Sequence, residues 1–344
     1  MKLFKFLAVV IFLSFLFLFI LIYRLLNKNV FISSVEIPPN KGGYYILNLE
    51  KRIFKLNLIE RQILKLYIKI FYAKKKLKYG KYLINTTLNP IEFVNYLYNQ
   101  KISYEKLTIY PGENLFDIAN KLELKRICSK KSFLNLAFDK SFLKNLIGQD
   151  VYSLEGFVKP DTYLFSIYTN PKEVIKILFK EFEKNFFKFV KSSNNLKKYF
   201  NLTLNQTTFK SLSQAQFKKV YDTMKIASIL EKETANNTEK FLISSVIYNR
   251  LKMNMSLQMD PTFFYQKKFE KYFPKKKDIF DTYKIKGLPP SPICNFKLLN
   301  LVPAAFPKET NYLFFVRKSK YSHVFSKDYE KHLENIKKYY KKEK

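Results

Sequence analysis

Ala227-Ser228-Ile229-Leu230-Glu231-Lys232-Glu233-Thr234 reads as the end of an amphipathic helix with a carboxyl set into its apolar stripe. At about 100° per residue, Ile226, Ile229, Leu230 and Glu233 share one face, and Glu231 points nearly to the opposite side. The spacing predicts that Glu233 is the buried acid of the pair and that Glu231 is solvated. Burial disfavours the charged form of a carboxyl, and the negative end of a helix terminating near Asn236 and Asn237 acts in the same direction. Both raise the pKa, which is how a general acid is made. The same spacing also fits a Glu233 that ends the core face and reaches into solvent, so residues further out must decide between the two.

Outward from this point, the Glu233 helix is expected over 213–234, and Asn236-Asn237-Thr238-Glu239 begins another that runs through Leu251. A helix, a tight turn and a helix thus bracket the carboxyl. Upstream, Asn170-Pro171-Lys172-Glu173 starts a capped helix reaching about Lys191, followed by a polar, Asn-rich interval at 192–208 that reads as a flexible connection. Residues 153–166 form a loop rich in turn formers. A small unit precedes it: a strand at 106–110, a Pro111-Gly112 turn, and a helix at 114–122 that turns Leu115, Ile118, Ala119 and Leu122 inward. Before that come strand-like segments at 30–37, 44–49 and 81–84, a helix at 56–77 with a basic end at Lys74, Lys75 and Lys76, and a helix from Asn89-Pro90-Ile91-Glu92 to about Asn99. Downstream, 256–332 mixes turns with short strands such as 312–316, and a lysine-rich helix closes the chain.

The 344 residues suggest about two domains, and 47% hydrophobic residues with 35 Phe and 25 Tyr supply ample material for packed cores. The formal charge of +34 is spread along the whole length instead of being gathered on one segment, so nucleic acid is not the expected partner. Abundant Lys, Asn, Ile, Phe and Tyr with 7 Gly and no Trp fit a genome biased toward A+T codons. Residues 6–23 are apolar apart from Ser14, between Lys2 and Lys5 on one side and Arg24 and Lys28 on the other. A run of about 18 apolar residues is long enough to cross a bilayer. It is followed by Tyr23-Arg24-Leu25-Leu26 and not by a small-x-small cleavage site, which favours an uncleaved anchor over a signal peptide. Nothing in the spacing of Cys128 and Cys294 demands a disulfide.

Three further segments give the Glu233 region its context: Tyr248-Asn249-Arg250-Leu251, then Leu257-Gln258-Met259-Asp260-Pro261-Thr262, then Tyr265. Together with 227–234 they resemble the endolytic murein transglycosylase (MltG, YceG-like) family. The resemblance extends upstream through Glu155-Gly156-Phe157 with Pro160-Asp161-Thr162-Tyr163, and through 107–122, which is similar to the family's small LysM-like module. Downstream, Thr282-Tyr283, Gly287-Leu288-Pro289-Pro290, Pro292-Ile293, 312–316 and His323-Val324-Phe325 follow in the expected order, so essentially the whole chain is covered. Two departures stand in loops: Asp281 where the family usually has Asn, and Phe296-Lys297 where it has a Pro-Gly pair.

The resemblance implies cleavage of the β-1,4 bond between N-acetylmuramic acid and N-acetylglucosamine within nascent peptidoglycan strands, without water, leaving a 1,6-anhydro end. Glu233 is the implied acid and then base, with Glu231 as the fallback if the helix register differs. Gln258 and Asp260 are expected to hold the sugar or position the acid, although Asp before Pro is also a common turn former. Asn249 and Arg250 either orient Glu233, hold an acetamido or carboxylate group, or form a surface ion pair. Asp161, Thr162 and Tyr163 are candidate cleft residues, with Tyr163 able to stack on a sugar ring, or else a buried turn anchor. His323, one of two histidines, is a further candidate. No cofactor is expected, and the histidines and two remote cysteines are too few for a zinc site.

The expected architecture is α+β: an N-terminal transmembrane helix and flanks at 1–28, a membrane-proximal stem at 29–105, a LysM-like α/β module and connection at 106–150, a mixed α+β transglycosylase domain at 151–335, and a basic tail at 336–344. The expected location is the inner membrane, single-pass, with the catalytic portion in the periplasm. Peptidoglycan strands are the expected partner, and family analogy places peptidoglycan synthases nearby. Two rival functions share the fold: a tethered peptidoglycan-binding protein without turnover, and a water-dependent muramidase, which needs a second carboxylate such as Asp260 within about 5–9.5 Å of Glu233.

Overall fold

The computed structural model describes residues 2–39, 43–319 and 322–340. They form two compact units, Met1–Lys106 with Leu164–Thr169, and Leu107–Tyr163 with Asn170–Lys344.

The first unit begins with the helix Lys2–Leu26, whose apolar side chains from Phe4 to Ile20 stand exposed. At 1.5 Å per residue its 25 residues extend about 37 Å, more than the roughly 30 Å of a bilayer's hydrocarbon core. Only its last turns are buried, through Leu21 and Leu25, and Leu25 belongs to the core of the unit. There the strand Val30–Ile37 runs antiparallel to Gly80–Leu88, with Val30 opposite Leu88 and an irregularity between Ile32 and Ser34. Their inward residues Ile32, Val35, Ile37, Tyr82 and Ile84 pack with Ile46, Leu47, Phe54, Leu64, Phe93 and Leu97 from three helices. Two of these helices carry capping boxes, Asn57 with Glu60 before Leu58–Tyr72 and Asn89 with Glu92 before Pro90–Asn99.

The strand expected at 44–49 is instead part of the helix Gly43–Phe54. Burial of Ile46, Leu47, Glu50 and Phe54 follows a helical period. The apolar, tyrosine-containing composition that suggested a strand is a weak prior that tertiary packing overrides.

In the second unit, aromatic packing fixes where the Glu233 helix lies. Phe179, Phe182, Phe186 and Phe187 of the helix Pro171–Ser192 surround Phe209, which also meets Phe157 edge-to-face at 5.5 Å and Phe217 at 6.1 Å. Phe217 and Tyr221 stand on the first turns of Gln214–Glu233, so this cluster holds the helix that ends in Glu233. Fully burying each such ring stabilises the fold by about 1.5–3 kcal/mol. The interval 192–208, expected to be flexible, is also tied to the core. Ser193 caps a short helix Asn194–Tyr199, and Leu196, Phe200 and Leu202 are buried. A few well-spaced apolar anchors outweigh the Asn-rich composition.

Residues 106–150 carry two helices that were not anticipated, Lys130–Ala137 and Lys140–Ile147, after the expected one at Leu115–Leu124. Asp260 and Pro261, read as turn formers, open a 13-residue helix, Asp260–Tyr272. Proline is favoured at a helix's first positions, where its missing N–H costs nothing. The end of the chain supplies a hairpin of Phe314–Ser319 and Ser322–Ser326, in which Arg317 lies opposite His323, and the helix Tyr329–Tyr340.

Gly156 is fixed by both backbone and space. Its φ is +83°, and an added Cβ would stand 2.5 Å from Pro292 Cγ. Its N–H donates to Asn295 Oδ1 at 3.2 Å. We expect Gly156→Ala to lose about 2–4 kcal/mol of stability in denaturant titration, whereas a loss below about 0.5 kcal/mol would show that this turn adapts freely.

Candidate active site

Glu233 is the last residue of Gln214–Glu233, and Thr234 leaves the helix with extended dihedrals. The carboxyl therefore stands at the negative end of its own helix. The turn is held from both sides: Asn236 N–H donates to Thr234 Oγ1 at 3.1 Å, and Asn236 Oδ1 caps the helix Asn237–Lys252. Ser228 anchors the preceding turn, accepting Ile293 N–H at 3.1 Å on its hydroxyl.

Glu233 lines a cavity of about 780 Å³, a size suited to a substrate segment. Burial, reinforced by the charge of Asp260, pushes its carboxyl up to about 8, while Arg317 acts in the opposite direction. Among the described residues no donor hydrogen-bonds to it. Gln258, Asp260 and His323 line the same cavity. Asp260 Oδ1 accepts from Tyr283 Oη at 2.6 Å. Gln258 adopts a left-handed φ of +53°, held by its N–H to Thr282 O at 3.0 Å and by Arg250 Nη1 donating to its Oε1 at 2.9 Å. A non-glycine residue in that region carries strain.

His323 is placed by Glu239, whose carboxylate accepts its backbone N–H and meets its Nδ1, both at 2.8 Å. Glu239 stands in the first turn of the helix that follows Glu233, so these bonds fix the hairpin to the helix pair. Arg317, opposite His323, is thereby carried into the cavity wall.

Asn249 and Arg250 both bind main-chain carbonyls. Neither forms a surface ion pair among the described residues. Asn249 Nδ2 donates to Thr310 O and Tyr312 O at 2.8 and 2.9 Å, away from the Glu233 cavity. Arg250 is buried and donates to Leu313 O, Ser256 O, Leu257 O and Gln258 Oε1. It joins the segment before the hairpin to the loop before Asp260, and it also lines the cavity.

Asp161, Thr162 and Tyr163 do not line it. Asp161 takes Lys159 Nζ at 2.6 Å and Thr162 N–H at 2.8 Å, which hold its carboxyl low, and Tyr163 Oη donates to Lys159 O at 2.8 Å. They form a turn anchor. Glu231 is only partly exposed and is not freely solvated as expected. Its Oε2 accepts Lys297 N–H at 3.0 Å and Asn300 Nδ2 at 2.6 Å, tying the helix to the segment after Phe296. That loop departs from the family pattern, and Phe296 is buried in it. Asp281, at the other departure, is buried and its Oδ1 accepts Tyr283 N–H at 3.0 Å, keeping the turn that presents Thr282 to Met259 N–H.

Sequence reasoning overlooked Glu155 as a site-building residue. It is fully buried, with Oε2 accepting Leu115 N–H and Tyr265 Oη at 3.0 Å each, and burial pushes its carboxyl up to about 8. Tyr265 and the helix cap Asn114 both line the cavity. An acid followed by Gly in an apolar, turn-rich loop was the available signal. Arg317 and His332 were also passed over, and for them only hairpin register and helix docking supply the placement. His332 stacks on Phe314 at 5.0 Å, and among the described residues its buried Nδ1 has no partner.

The model of the YceG-like family matches residues 35–338. The chain belongs to the YceG-like family. An endolytic murein transglycosylase of Bacillus subtilis is 28% identical over 293 residues, spanning 78% of this chain and 76% of that protein. One from Streptococcus pneumoniae is 25% identical over 285 residues, spanning 72% of this chain and 48% of that protein. The crystal structure of a YceG-like protein from Listeria monocytogenes matches with a TM-score of 0.53 at 26% identity, over 89% of this chain and 98% of that one.

In this YceG-like chain the raised Glu233 carboxyl costs stability in a defined pH window. Its folded pKa, about 8, lies above the ordinary 4.5, so the penalty is absent below pH 4.5, grows as pH rises and is complete above about pH 8. We expect Glu233→Gln to match the parent near pH 4.5 and to exceed it by roughly 1–3 kcal/mol near pH 8 in denaturant titrations. A pH-independent difference would mean that the carboxyl is not desolvated.

Proposed function

We propose that this protein is an endolytic peptidoglycan lytic transglycosylase that cleaves the β-1,4 bond between N-acetylmuramic acid and N-acetylglucosamine within nascent strands. The observation that carries the proposal is the Glu233 carboxyl, raised to about 8, lining a large cavity with no donor from the described chain. A carboxyl in that state is protonated at neutral pH and free to meet a substrate oxygen.

In the reaction, Glu233 gives its proton to the glycosidic oxygen as the C1–O bond breaks, and positive charge develops on the muramic ring. The Asp260 carboxylate, close enough to raise Glu233, offsets that charge. The ring's own C6 hydroxyl then attacks C1 and returns its proton to the Glu233 carboxylate, closing the 1,6-anhydro ring. No water is consumed, so one carboxyl acts as acid and then base. Gln258 and His323 supply polar contacts for the sugar, and the cationic Lys232, Lys268 and Arg317 suit the carboxylates of stem peptides. The N-terminal helix anchors the protein in the inner membrane with the cavity on the periplasmic side, where cleavage would end strand elongation close to the synthases.

A second reading, a water-dependent muramidase, draws on the same proximity of Asp260, because a second carboxylate can activate water or act as nucleophile. Mass spectrometry of fragments released from purified peptidoglycan by the full-length protein in detergent separates the possibilities. We expect internal fragments with anhydro ends, lost by about a hundredfold or more in Glu233→Gln and retained in Glu231→Gln. Reducing ends would establish hydrolysis. Binding to the wall without fragments would establish a protein that has lost turnover.

A further inference from the structure

We propose that the exposed apolar stripe of the helix Leu58–Tyr72, together with Phe31, lies in the headgroup layer of an anionic membrane leaflet. The stripe consists of Ile59, Leu66 and Ile70, spaced i, i+7 and i+11, which places them on one side of the helix, with the half-buried Ile63 between them packed against the core. Ile59, Leu66 and Ile70 are 50%, 56% and 63% exposed, and Leu58 at the helix start is 77% exposed. Leu64 and Tyr72 face the other way, into the core of the first unit. A soluble domain does not ordinarily leave such a row facing water.

Its position relative to the N-terminal helix indicates what covers it. Lys28, two residues beyond the end of Lys2–Leu26, donates to Glu60 Oε2 at 2.7 Å, and Glu60 stands in the first turn of Leu58–Tyr72. Leu25 is packed in the same core, so that core begins where the apolar helix ends. Leu58 and Ile59 adjoin the residue bonded to Lys28, and Phe31, 66% exposed, follows Lys28 by three residues. Exposed apolar side chains thus surround the point where the chain leaves the spanning helix.

The charges complete the match. Between residues 58 and 78 stand Arg61, Lys65, Lys69, Lys74, Lys75, Lys76 and Lys78, against the single acid Glu60, already paired with Lys28. A basic helix with an exposed apolar face beside a membrane anchor has the composition of one that lies in the interface. Anionic lipid satisfies both parts, the acyl boundary taking the isoleucines and the headgroups taking the lysines. Contact at this helix would hold the first unit down on the bilayer instead of leaving it on a free tether.

The proposal rests on the reading of Lys2–Leu26 as a membrane anchor, and the test keeps the two apart. The chain contains no Trp, so one introduced Trp is the sole indole reporter. Full-length Ile59→Trp, Ile70→Trp and Phe12→Trp are reconstituted into phosphatidylcholine vesicles with and without phosphatidylglycerol, using lipids brominated at defined depths. We expect Phe12→Trp to be quenched by deep bromines. Ile59→Trp and Ile70→Trp should emit to the blue and be quenched about twofold or more by bromines near the headgroup, more strongly with phosphatidylglycerol. Solvent-like, unquenched emission from both helix positions while Phe12→Trp is quenched overturns the proposal and leaves the anchor standing. Blue-shifted but unquenched emission also overturns it, because protein and not lipid then covers the face. An unquenched Phe12→Trp removes the anchor, and the proposal falls with it.

Discussion

Holding the Glu233 carboxyl half-buried at the cavity wall without a partner from the described chain costs folding free energy. The aromatic cluster around Phe209 offsets it by fixing the helix from its first turns. Ser228 and Glu231 fasten the final turns to the loop at 293–300, leaving the last residue to enter the cavity. The two acids of this helix end thus divide the work. Glu231 accepts two donors on one oxygen and ties the helix to a loop, and Glu233 is left without a donor among the described residues. Two residues on a helix differ by roughly 200°, which is enough to send one carboxyl to a neighbouring loop and the other into the cavity.

Around that carboxyl, most of the buried polar side chains hold chain segments to one another. Arg250 and Asn249 bind main-chain carbonyls before the hairpin, Glu239 binds His323, and Glu155 joins a helix start to Tyr265. Asn295 does the same for the turn at Gly112, its Nδ2 donating to Glu113 O at 3.1 Å, and for Gly156 and Val158, whose N–H groups its Oδ1 accepts. Satisfied buried polar groups specify one arrangement strongly, because every alternative leaves some of them without partners. Cavity walls contributed by segments distant in the chain can in this way stay in register.

The first unit follows a different physical logic. Its core is small, and the helix that precedes it is exposed almost throughout. Lysines concentrated in and just after Leu58–Tyr72 contrast with the diffuse charge elsewhere.

Local signals were legible without the fold. Asn89-Pro90-Ile91-Glu92, Asn170-Pro171 and Ser213 mark helix starts because their side chains bond amides only two or three residues away. The apolar run at 6–23 and the face shared by Ile229, Leu230 and Glu233 are likewise properties of a single element. Glu231 shows the limit of that reasoning: the helical wheel turned it away from Glu233 but could not foresee Lys297 and Asn300 waiting there. The helix at 43–54, the ordered 192–208 interval and the helix opened by Asp260 were misread because contacts distant in sequence outweigh local propensity. Asp161 and Tyr163 looked like cleft residues and anchor a turn, whereas Arg317 and His332 reached the cavity through hairpin register and helix docking. The sequence by itself determined which carboxyl sits in the apolar stripe, since that depends on helical periodicity alone. Only the tertiary structure decided which side chains share its cavity, because that depends on how separate elements pack.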